Sequence, residues 1–181
     1  MRAMVWRIGA LVLLAFGLAA CAAPQSELAS LPPPGQMQKD ARISCVPYAR
    51  EHSQVKLYGD AWTWWDRAAG KYSESHAPSP GAVMVLTGYA GPEHGHVAVV
   101  RQVISAREIR VDHANWLNDG AIYLDDPVMD VSAANDWSQI RVFNIQTGAW
   151  GARNYAVQGF IGGQSPFSAP DPIGRLLSAN S

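Results

Sequence analysis

Gly95-His96-Val97-Ala98-Val99-Val100 runs from a glycine-histidine pair straight into four apolar residues, three of them β-branched. It reads as a buried strand that begins on a histidine. Working outward, Ser79-Pro80-Gly81 is a turn, and Ala82-Val83-Met84-Val85-Leu86 is a strand of the same buried kind. Glu108-Ile109-Arg110-Val111-Asp112 alternates as a third strand and Ser138-Gln139-Ile140-Arg141-Val142-Phe143 as a fourth. A short apolar stretch from Ala156 to Ile161 closes the domain. On the N-terminal side the pattern is helical. Ser44 to His52 has Ser44 as a cap and Pro47 in the first turn, where its missing N–H costs nothing. Ala61 to Ala69 follows Gly59-Asp60 and ends at Gly70. Helices first and strands after predict an α+β fold, with N-terminal helices packed on a small antiparallel sheet.

The 181 residues allow one domain of ordinary size, and 48% hydrophobic residues with 16% charged ones suit a globular core. A formal net charge of −1 excludes nucleic acid as the main partner, which would demand a basic stripe. At the N-terminus, Arg2 and Arg7 precede an uncharged apolar run from Ile8 to Ala20, the pattern of an export signal. Leu18-Ala19-Ala20-Cys21 resembles the bacterial lipobox. That resemblance implies a lipoprotein signal peptide over 1–20 and a Cys21 acylated with palmitate-type chains. A lipid anchor and flexible tether would then occupy 21–42, stiffened by Pro32-Pro33-Pro34-Gly35. Ala22, where an aspartate would signal inner-membrane retention, points to the periplasmic face of the outer membrane. The folded domain is expected over 43–163 and a disordered tail over 164–181. Two cysteines in an exported chain would ordinarily pair. A thioether on Cys21 forbids that and leaves Cys45 as a lone thiol.

Three places can carry chemistry. Cys45 opens a helix, where the dipole and unpaired N–H groups favour thiolate and can hold an oxyanion. The position suits a core cysteine equally well. His96, anchored by the apolar strand behind it, can serve as a proton acceptor; taken alone, it also fits a satisfied core histidine. Asp112-His113-Ala114-Asn115-Trp116 ends the next strand and offers polar groups to orient an imidazole.

Together these pieces resemble the CHAP family, cysteine- and histidine-dependent amidohydrolases and peptidases related to the NlpC/P60 proteins. The resemblance is carried by Cys45 with Tyr48-Ala49, Gly59-Asp60-Ala61, Pro80-Gly81-Ala82-Val83, the strand from Gly95 to Val100, and Asn115-Trp116. It implies a papain-like fold, Cys45 as nucleophile, His96 as general base, no cofactor and no metal. Many relatives have Glu-x-Asn-Trp where this chain has His113-Ala114-Asn115-Trp116, so the usual carboxylate is missing. Strand alternation puts His113 and Asn115 on one face and Asp112 on the other. Asn115 is therefore favoured as a site residue that can complete a papain-like Cys-His-Asn set, with His113 beside it, and the reading leaves open which of the two contacts His96.

Tyr48, Trp116 and His94 are expected along the substrate groove, where Glu93 and Asp119 are less favoured. Trp62, Trp64 and Trp65 are expected mostly in packing. The implied activity is hydrolysis of a peptidoglycan amide, as N-acetylmuramoyl-L-alanine amidase or endopeptidase, by an envelope-anchored monomer. The alternative is a non-catalytic or metal-dependent envelope lipoprotein that binds peptidoglycan, with His94, His96 and His113 as the metal ligands.

Overall fold

A computed structural model describes residues 35–163. The expected leader, Cys21, most of the tether and the tail from 164 lie outside those residues. The chain within them runs β1 (Gln36–Gln38), α1 (Cys45–His52), a 3-10 turn (Ala61–Thr63), α2 (Trp64–Ala68) and β2 (Glu74–Ser75). Then come β3 (Ala82–Thr87), β4 (His96–Ser105), β5 (Glu108–Ala114), β6 (Ile122–Asp130), β7 (Gln139–Asn144), β8 (Ala149–Trp150) and β9 (Tyr155–Gly162).

The architecture corrects the sequence expectation. Strands make up 41% of the structure and helices 12%, and six strands close into a barrel rather than lying as a small sheet under helices. The antiparallel neighbours run β6-β5-β4-β3-β9-β7, and β7 pairs back onto β6. Closure depends on β6, a strand the sequence pattern hides. Asp125, Asp126 and Pro127 interrupt its apolar run, and proline ordinarily marks a strand edge. The folded unit also begins before residue 43. Gln36 to Gln38 pairs with Leu124 to Ile122, so part of the expected tether is an edge strand. A Cβ on Gly35 would lie 2.1 Å from the Leu124 carbonyl oxygen, so the approach of that strand requires glycine.

Two apolar clusters sit on opposite faces of the closed sheet. Inside the barrel are Ala82, Met84, Leu86, Ala98, Val100, Ile109, Val111, Tyr123, Val128 and Phe160. Outside, Val83, Val85, Val97 and Val99 pack against Ala49, Val55, Leu57, Trp64 and Ala68 from the helical segment. Alternation along β3 and β4 therefore feeds two cores at once, and both strands read as continuous apolar runs for that reason.

A bulge in β6 decides which side chains face inward. Val111 lies opposite Asp126, but His113 lies opposite Tyr123, so two steps on β5 meet three on β6. The extra residue is absorbed near Asp125, whose φ is +54°. Its N–H donates to Asp112 Oδ1 at 2.7 Å. Without the extra residue Asp126 would face the opposite side from His113; with it, both point into the barrel.

Candidate active site

Cys45 is the first residue of α1 and is half-buried. Ser44 stands at the N-cap position with extended backbone, but its side chain makes no capping hydrogen bond. The helix start was expected to favour thiolate. Instead burial pushes the Cys45 thiol up from its ordinary value, and hydrogen bonds from the backbone of Val97, Val46 and Cys45 itself only partly offset this. Desolvation wins because α1 lies on the outer apolar cluster, with Cys45 and Val46 packed against it.

Cys45 lines an open groove of about 580 Å³ together with Ser44, Pro47, Asp60, Trp62, Glu93 and His94, among others. Gly95 forms part of the wall. A Cβ there would fall 2.5 Å from the Trp62 backbone nitrogen and 2.8 Å from the Leu86 carbonyl oxygen. The close approach of the 3-10 turn to the start of β4 requires glycine, and it fixes His96 beside the groove.

His96 points into the barrel and is 2% exposed. The next residue, Val97, faces out and supplies the backbone hydrogen bond to Cys45. Burial, and then the neighbouring His113, hold His96 well below the usual imidazole range. His96 Nε2 is 2.9 Å from His113 Nδ1, and His113 Nε2 is 3.0 Å from Asp126 Oδ2. His113 and Asp126 are both buried. Aromatic rings enclose this chain of polar groups. Trp116 lies 4.9 Å from His96 and 5.3 Å from His113 between ring centroids. Tyr89 lies 5.3 Å from His96, and its hydroxyl donates to the Trp116 carbonyl. Burial, Tyr155 and Cys45 push the Tyr89 hydroxyl up to about 12, so it stays a donor.

The expected residues therefore divide. Cys45, His96 and His113 converge on the start of β4. Asn115 does not join them. It lies beyond the end of β5 with φ +58°, and its Oδ1 accepts the Gly120 N–H at 2.8 Å. Strand alternation does not extend to Asn115, because β5 has ended at Ala114 and the backbone has turned. Among the expected groove residues, only His94 reaches the groove, and it is exposed there. Trp116 caps the histidines from the barrel side. Tyr48 is a buried residue of α1, stacked on His52 at 4.2 Å and hydrogen-bonded toward Arg101 and Asp112. Of the two weaker groove candidates, Glu93 lines it, whereas Asp119 binds the Tyr123 hydroxyl at 2.6 Å elsewhere. Trp64 is core, Trp62 lines the groove, and Trp65 covers Gly159. Asp126 and Tyr89 were missed. Asp126 left one trace in the sequence, a pair of acids inside an apolar run.

The donor set does not suit a metal. His96 and His113 bond to each other, His113 Nε2 is taken by Asp126, and His94 stands apart on the groove rim. Among the described residues, no group of three His, Cys, Asp or Glu side chains is placed to hold a metal ion.

The family model described as "CHAP domain" matches residues 36–115. The chain carries a CHAP domain. No curated protein matches the chain. The CHAP match begins at β1 and contains Cys45, His96 and His113, but it stops before β6 and Asp126. A CHAP domain points to cysteine- and histidine-dependent amide hydrolysis, by an amidase or peptidase, with peptidoglycan as the substrate class.

Proposed function

We propose that this CHAP domain cleaves an amide bond of peptidoglycan, with Cys45 as nucleophile and His96 as general base. The observation that carries the reading is the placement of the two groups. Cys45 opens a helix on the wall of an open groove, within hydrogen-bond reach of the backbone of Val97, next to His96. Thiol and imidazole are both neutral at rest, so the proton moves from Sγ to His96 as the carbonyl carbon is attacked. The Cys45 N–H at the helix start is the donor for the oxyanion. His96 then gives its proton to the departing amine. Water hydrolyses the thioester with His96 again as base, releasing the carboxylate and free thiol. His113 orients His96 in place of the carboxylate of many relatives. Trp62 on the groove wall offers a flat face to a sugar ring.

The bond cut is the sugar–peptide amide or one within the stem peptide, making the chain an N-acetylmuramoyl-L-alanine amidase or an endopeptidase. The lipobox-like Leu18-Ala19-Ala20-Cys21 supports attachment of the domain to the envelope through Cys21, on the periplasmic face of the outer membrane. The test is mass spectrometry of muropeptides after digestion of purified sacculi by wild type and Cys45→Ser. New free carboxyl and amine ends from wild type alone are expected. Activity that survives iodoacetamide but is abolished by EDTA would overturn the thiol mechanism.

A further inference from the structure

The geometry assigns Asp126 as a positioning residue for the base: acting through His113, it fixes which nitrogen of His96 carries the proton. This rests on His96 being the base for Cys45, as proposed above.

A carboxylate can only accept, so the 3.0 Å contact between Asp126 Oδ2 and His113 Nε2 places the hydrogen on Nε2. A neutral imidazole protonated there has its lone pair on Nδ1. That Nδ1 lies 2.9 Å from His96 Nε2, so His96 must donate through Nε2. Its remaining nitrogen, Nδ1, is then the basic one, free to take the Cys45 proton. An imidazole in the position of His113 cannot enforce this alone, because either of its tautomers is open to it. The carboxylate absent from position 113 is thus supplied one imidazole further back.

The cost of the arrangement argues that it is used. Asp126 is fully buried, and its Oδ1 has no hydrogen-bond partner among the described residues. An unpartnered buried acceptor is expensive, and an apolar residue would serve packing better. The charge is held by His113 and by the field of buried Arg110. The β6 bulge at Asp125, pinned by Asp112, turns Asp126 to the His113 side.

The test uses the folded chain labelled with ¹⁵N-histidine, together with turnover of sacculi. In wild type, His96 is expected to carry its proton on Nε2, with Nδ1 bare. In Asp126→Asn, the amide can donate to His113 Nε2, reversing both rings. The Nδ1 signal of His96 should then shift to the protonated form, and kcat should fall about 10²-fold with little change in KM. Gln at position 113 accepts from His96 without help from residue 126. Adding Asp126→Asn to His113→Gln should therefore cost less than about threefold more. A wild-type His96 protonated on Nδ1 would overturn the assignment. So would an unchanged tautomer in Asp126→Asn, or an equal loss of kcat in both backgrounds. Failure of wild type to cleave sacculi would instead refute the proposed reaction, because the tautomer is read without turnover.

Discussion

The two faces of β4 are built on different terms. Outside, Val97 and Val99 pack against the helical segment that carries Cys45. Inside, His96 meets His113 and, through it, Asp126. The nucleophile comes from a short contiguous stretch and needs nothing beyond α1 and the strand under it. The base is supported by three strands, two of them bulged, with their partners 17 and 13 residues apart along the chain. Burial acts on both sides in the same sense, raising the thiol and lowering the imidazole. The resting Cys45–His96 pair is therefore uncharged, and catalytic power must come from orientation rather than from a standing thiolate.

Removing the chemistry on either face should have the largest effect. Cys45→Ala and His96→Ala are each expected to reduce turnover of sacculi on the order of 10⁶-fold, with the double variant little worse. A double variant far below either single one would show that the two faces do not act as a unit. The neutral resting pair is read separately by alkylation. Because the Cys45 pKa is raised, iodoacetamide labelling should climb throughout the range from pH 6 to above the ordinary thiol value near 9. A plateau on the acidic side would reveal a preformed thiolate–imidazolium pair and refute the comparison.

Next in size is the joint between the faces. Gly95→Ala puts a Cβ 2.5 Å from the Trp62 nitrogen and 2.7 Å from its Cα, both backbone atoms that yield only by moving the turn. A loss of about 1–3 kcal/mol of stability is expected from the overpacking. Turnover should fall further than unfolding alone explains, because the groove wall and His96 move together. Denaturant melts beside kcat on the folded fraction separate the two. Equal losses would mean that Gly95 serves packing alone.

The interior face should also show in pH dependence. His96 is depressed in the folded state from an ordinary value of 6.5. Its neutral form is favoured by folding, so the contribution is fully present above 6.5 and is lost as pH falls through that value toward the folded one. Each unit below 6.5 should cost about 1.4 kcal/mol until His96 protonates in the folded protein. Asp126 works in the opposite direction. Its carboxyl is raised from 3.8, so acid below its folded value returns stability. Melting between pH 7.5 and 5 should therefore fall for wild type and flatten for His96→Gln. Parallel slopes would place the acid sensitivity elsewhere.

The same contrast explains what was legible in the sequence. α1, β3, β4, β5, β7 and β9 each announce themselves through a cap, a turn or an apolar run, and the residues that mark Cys45 and His96 lie in those stretches. β6 does not, because Asp125, Asp126 and Pro127 break the pattern by which strands are recognised. Missing that one strand removed both the closure of the barrel and the carboxylate behind His113. The thiol was misjudged for a related reason. The helix start is a local feature, but the desolvation that outweighs it comes from packing on a sheet face.

The smallest effect is expected where sequence reasoning placed the third catalytic member. Asn115 holds φ +58°, a conformation asparagine tolerates and glycine adopts freely. Its Oδ1 accepts the Gly120 N–H, while its own N–H donates to the Ala121 carbonyl at 2.7 Å. Asn115→Gly keeps the backbone bond and the dihedral but loses the side-chain acceptor, which should cost about 0.5–1.5 kcal/mol. Asn115→Asp keeps the acceptor and should cost less. Neither variant touches His96, so kcat should stay within about threefold of wild type, the residual reflecting a slightly looser Trp116 above the histidines. A papain-like Cys-His-Asn arrangement demands the reverse, with a loss of about 10²-fold or more in Asn115→Gly at almost unchanged stability. Stopped assays on the two variants beside their melting curves decide between these, because a turn residue moves stability first and an orienting residue moves turnover first.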